Sequence, residues 1–210
     1  VVAAVKSAVE SGVHEWIKEM HKAVEDTAKA GGEGGNESIA NVAAGAAGHA
    51  AGAGATADVN SVTGIAKGMK AIVDAAGKAG VELKPAAAGA NAGANDAGKL
   101  FASGNNARAA GNAAGAEGAA EAAGKAVSAV SGDQILKAIV DAAEATAGKK
   151  ANEAANAVEA AIGADGDANA AGVAFAGGMQ NKNDQIAAAI VLRGLAKSGK
   201  FANENAANGK

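Results

Sequence analysis

Apolar residues recur at three- and four-residue steps along the first 29 positions. Val2, Val5, Val9, Val13, Trp16, Ile17, Met20 and Val24 form one stripe, the pattern of an amphipathic helix, and Gly31-Gly32 ends it. A second pattern lies near the other end of the chain. From Asp184 to Phe201, Ile186, Ile190, Val191, Leu192 and Leu195 fall on almost every side of a helix. A helix that is apolar all round is buried. Its uninterrupted apolar run, Ile186 to Leu192, is far short of the ~20 residues that a membrane span needs. Asp184 fits the N-cap, Lys197 and Lys200 suit the carboxyl end of the dipole, and Gly199 supplies a stop. The stripe of the first helix needs a partner, and this buried helix is the expected one.

Two internal segments repeat the design. Lys-Ala-Ile-Val-Asp-Ala-Ala occurs identically at Lys70–Ala76 and at Lys137–Ala143, and Asp133-Gln134-Ile135 repeats the start Asp184-Gln185-Ile186. The spacing between these copies is irregular, whereas a solenoid needs a fixed period. They read as related helices: one capped by Ser61 and running to about Gly77, one opened by Ser131-Gly132-Asp133 and running to about Ala147. Asn152 to Ile162 adds a further amphipathic turn or two. No stretch alternates with β-branched enrichment, so the expected fold is all-α: a helical bundle of the two terminal and two internal apolar helices. One domain is expected over residues 1–202, with core helices at about 1–29, 61–78, 131–147 and 184–198. Ala/Gly/Asn-rich tracts at about 31–60, 80–126 and 144–182 connect them at one end, and 203–210 forms a frayed tail.

Composition sharpens this division. Leu, Ile, Val and Phe total 34 residues, and 23 of them lie in segments 1–28, 62–73, 127–140 and 186–201, a third of the chain. Most of the remaining apolar content is alanine, so the connecting tracts are expected to bury little. Early proteolytic cuts are accordingly expected within 31–60 and 86–126. The net charge of −3 gives no electrostatic case for nucleic acid. With no cysteine, disulfides, thiolate catalysis and Cys-ligated zinc are excluded.

Candidate chemistry is sparse. His14 and His21 are seven residues apart, about 10.5 Å along a helix axis, too far to share a metal. Glu10-His14 and His21-Glu25 each offer two ligands, too few for a structural site. His49 has no acid or serine nearby. Gly52-Ala-Gly54-Ala-Thr-Ala57 matches a loose dinucleotide-binding pattern, but without the strand and helix that give it meaning. Ser198-Gly199-Lys200 lacks the spacing of a phosphate-binding loop, and Asn36-Glu37-Ser38 is a chance-level glycosylation sequon. Arg193, the one charge within the buried helix, needs a carboxylate partner if it is buried. No catalytic, cofactor-binding or metal site and no cofactor is expected. The Val/Ile stripe of the terminal helix could serve a homodimer.

Several long blocks together carry a resemblance. They are Val5-Lys-Ser-Ala-Val-Glu-Ser onward through Trp16, Ser61-Val-Thr-Gly-Ile-Ala-Lys-Gly-Met-Lys-Ala-Ile-Val-Asp-Ala-Ala-Gly-Lys78, Asp96-Ala-Gly-Lys-Leu-Phe-Ala102, Ala129 to Ala143, and Asp184 to Phe201. In this order the chain resembles the variable large proteins of Borrelia spirochaetes, the Vlp and VlsE surface lipoproteins. The resemblance implies a helical lipoprotein on the cell outer membrane, held by an acylated cysteine that is expected upstream of this chain. The terminal helices would lie near the membrane, and variable loops would project outward. It further implies a non-catalytic role in antigenic variation, with host antibodies as partners. An adhesin of the same architecture, binding a host glycan or protein, is the alternative. That reading calls for a contiguous basic or aromatic patch, which the sequence does not offer.

Overall fold

Four of the helix starts follow from a polar side chain that satisfies an otherwise free amide. In the computed structural model, which describes residues 2–31, 54–86, 92–104, 107–166 and 171–203, Asp58 accepts from the amide of Ser61 at 2.7 Å and opens α2 (Val59–Lys78). Asn112 opens α3 (Ala113–Ser128) in the same way. Ser131 opens α4 (Gly132–Asp141) with a reciprocal capping box to Gln134, and Asn156 opens α5 (Ala157–Ile162). The N-terminal helix α1 spans Val2–Ala30, the C-terminal helix α6 spans Asn183–Leu195, and 3-10 helices cover Ala92–Phe101 and Gly177–Met179. Among the described residues, extended pairing is limited to the isolated bridges Gly54–Ser103, Ala55–Lys200 and Arg108–Ala171. The fold is all-α, as the sequence predicts.

Helix α6 is the axis. Ile186, Ala187, Ala188, Ala189 and Leu192 are buried, with α2, α3, α4, α5 and the 92–101 helix packed around it. Its ends differ from the expected ones. Lys182 takes the N-cap position without a side-chain bond, which places Asp184 in the first turn; the helix stops at Leu195, before Lys197 and Gly199. Ser61 is likewise not a cap, because Asp58 lies three residues earlier and reaches its amide. Helix α4 ends at Asp141, and turns follow it where the sequence suggested helix to Ala147.

Two expectations are overturned. The first concerns α1, which packs on α2 and not on α6. The pair is antiparallel: Ala30 lies against Gly64, Thr27 against Gly68, and Glu19 pairs with Lys78 at 2.7 Å. Since α2 ends at Lys78, the first half of α1 runs beyond it. The side turned to α2 carries Trp16, Met20, Ala23 and Thr27, all buried or half-buried. The Val/Ile stripe stands in solvent, with Val2 83% and Ile17 63% exposed. Periodicity shows that a face exists; it does not name the partner. The close approach explains the choice, since a Cβ on Gly68 would sit 1.9 Å from Thr27 Oγ1.

The second correction concerns the connecting tracts. In 92–126, Ala94, Ala97, Phe101, Ala107, Ala119, Ala122 and Ala126 are buried. In 144–182, Ala151, Ala154, Val158, Ala161, Ile162, Phe175 and Met179 are too. These tracts build much of the core with methyl groups, and α3 is a regular helix of 16 residues. Alanine allows helices to approach closely, so a tract poor in Leu and Ile still packs. Early cuts are expected within 86–126, and the buried residues of 92–104 and 107–126 argue against cuts at those positions. His49, the Asn36–Ser38 sequon, most of 31–60 and residues 204–210 of the expected tail lie outside the described residues.

Candidate functional site

The stretch from Asn183 to Ala202 is well shielded among the described residues. Apart from Lys197 and Ser198, every residue in it is buried or half-buried. After α6, Ala196 turns extended and Ser198 adopts φ 65°, so that the chain lies alongside residues 54–58. Asp58 N donates to Lys197 O at 2.9 Å, while Ala55 and Lys200 exchange amide–carbonyl bonds of 3.1 and 3.0 Å. Ala202 N then donates to Leu100 O at 2.8 Å. Glycines permit this proximity. A Cβ on Gly54 would lie 2.1 Å from the Ala102 carbonyl, and one on Gly199 would lie 2.9 Å from Ala57 Cβ. The Gly54–Ala57 segment therefore belongs to this clasp, and the first part of the loose dinucleotide pattern, Gly52-Ala53, lies outside the described residues.

Side chains add to the clasp. Ser61 Oγ donates to Ala30 O at 2.5 Å and accepts from Lys197 N at 2.9 Å, tying α1, α2 and the end of α6 together. Gln185 shows what the repeated Asp-Gln-Ile start can do. Gln134, at the third position of α4, closes its own capping box and donates to Ala86 O. Gln185, at the third position of α6, instead accepts from Ala157 N at 3.0 Å and so receives the first amide of α5. Asn95 and Asn181 exchange two 2.8 Å bonds that fix the turn before α6.

Arg193 is fully buried, and its hydrogen bonds among the described residues go to backbone carbonyls where a carboxylate partner was expected. Its guanidinium donates to the Ala55 carbonyl at 2.5 Å and to the Ala161 carbonyl at 3.5 Å, while Nε has no hydrogen-bond partner. Phe101 and Phe201 lie 5.1 and 6.0 Å from its Cζ. These rings pack edge-on to each other, and Phe175 packs edge-on to Phe101. Burial lowers the Arg193 pKa to about 10, with the charge of Asp165 opposing the shift. The guanidinium thus stays charged at neutral pH, held by carbonyl dipoles and ring faces. The sequence could not show this arrangement, because two of its parts are a backbone carbonyl and a phenylalanine from a presumed connector.

Elsewhere the surface offers little chemistry. His14 and His21 are exposed, and His21 Nδ1 lies 3.9 Å from Glu25. Among the described residues, no three His, Asp or Glu side chains gather where a metal could sit. A cavity of about 180 Å³ opens between Phe101, Ala107, Lys150, Glu153 and Val173, smaller than the ~300–1,000 Å³ of ordinary ligand pockets. An open groove between α2 and α4 is lined by the equivalent repeat residues Val73 and Val140, and Asp74 and Asp141. Both aspartates are paired with lysines, Lys70 at 2.7 Å and Lys137 at 2.6 Å. No helix among the described residues is long and apolar enough to cross a membrane.

The Borrelia lipoprotein family model matches residues 2–210. This chain belongs to that family. It is 34% identical over 164 residues to variable large protein 25 of Borrelia hermsii, covering 71% of this chain and 40% of the relative. It is 33% identical over 161 residues to variable large protein 17 of the same organism, covering 70% and 40%. The variable surface antigen VlsE of Borrelia burgdorferi has a similar solved structure, with TM-score 0.77 and 43% identity over 99% of this chain and 64% of VlsE. The chain thus spans about two fifths of the length of the two variable large proteins. As a member of the Borrelia lipoprotein family, it shares its helical architecture with a surface antigen.

Proposed function

We propose that this Borrelia lipoprotein is a non-catalytic outer-surface antigen that serves antigenic variation, with host antibodies as its partners. One observation carries the reading: the stretch Asn183 to Ala202, apart from Lys197 and Ser198, is withdrawn from solvent at the centre of the fold. Exposed residues of α3, α4 and the connecting segments surround it. Substitutions at exposed positions of such a molecule cost little stability, whereas those at the axis cost a great deal. A surface can therefore change while the frame that displays it does not. The kinship with variable large proteins and with VlsE supports the same reading. Anchoring would come from an acylated cysteine outside this chain, holding the protein on the outer membrane.

Sequencing the expressed gene from serial bacterial isolates of one infection tests this proposal. Substitutions should gather at exposed positions of 31–60, 80–126 and 144–182, and should spare the buried alanines within those tracts. Changes absent altogether, or spread evenly over buried and exposed positions, would overturn it.

A further inference from the structure

No further inference is drawn: the strongest candidate, the apolar stripe of Val2, Val5, Val9, Val13 and Ile17 along the free half of α1, is an unpartnered helix face, and nothing among the described residues shows what covers it.

Discussion

Ser61 and Lys197 stand 136 positions apart in the chain and are joined by a 2.9 Å hydrogen bond from the Lys197 amide to the Ser61 hydroxyl. The same hydroxyl donates to Ala30 O, so one oxygen links the ends of α1 and α6 to the start of α2. Replacing it strands a donor and an acceptor in a partly buried position. Ser61→Ala should cost roughly 1–3 kcal/mol in denaturant unfolding. Ser128→Ala, at an exposed helix end, should stay within about 0.5 kcal/mol. Equal effects would show that Ser61 is not a junction.

Gln185 and Gln134 occupy the same place in related helices but do different work. Gln185 receives the amide of fully buried Ala157, while the Gln134 bonds are exposed. Gln185→Ala should therefore lower stability by roughly 1–3 kcal/mol. Gln134→Ala should lower it by less than about 1 kcal/mol, close to the loss of a cap interaction. Paired urea titrations of the two variants decide the matter; the reverse order would contradict the assignment.

Arg193 gives a pH-dependent test. An arginine in the unfolded chain keeps its proton to above about 12, whereas in the fold its pKa is about 10. Between these values the unfolded state binds more protons, so this group makes stability rise with pH there. Below pH 10 it is charged in both states and contributes no slope. The stability difference between the native protein and Arg193→Met should thus be flat from about pH 6 to 9 and shift toward the native protein above 10. Arg193→Ala, which also opens a void among Phe101, Phe201 and Ala161, should cost roughly 3–5 kcal/mol at neutral pH. A difference that changes between pH 6 and 9 would assign the titration to another group.

The docking of α1 can be checked from both of its faces. Gly68→Ala would place a methyl group 1.9 Å from Thr27 Oγ1, and should cost roughly 1–3 kcal/mol by forcing α1 away from α2. Ile17→Ala, on the stripe that faces solvent, should change stability by no more than about 0.5 kcal/mol. A large loss at Ile17 in thermal or denaturant melts would show that the stripe is covered in solution.

How much was legible in the sequence depends on what each residue type reveals. Ser131-Gly132-Asp133 announces the start of α4, because a cap is a local signal. The buried character of α6 was also legible, since Ile186, Ile190, Val191, Leu192 and Leu195 leave it little polar face. Asp58 and Ser61 are both good caps by residue type, and only the backbone decides between them. The partner of α1 is not legible, since tight contact at Gly64 and Gly68 leaves no mark in a hydrophobic pattern. The alanine-built core of 92–126 and 144–182 is hidden for a related reason. Ala119 and Ala126 are buried while Ala114 and Ala120 are exposed, yet nothing in their chemistry separates them.

The most direct test of a shielded axis beneath a changeable surface uses antibodies affinity-purified against a peptide of residues 184–201. Their binding to the native protein should be at least about 100-fold weaker than to the protein unfolded in denaturant and captured on a surface, because exposing the peptide requires opening the fold. Antibodies against the exposed face of α3 should bind both forms. Equal binding of the 184–201 antibodies to native and unfolded protein would contradict the account, since the stretch would then be open to solvent in the folded molecule.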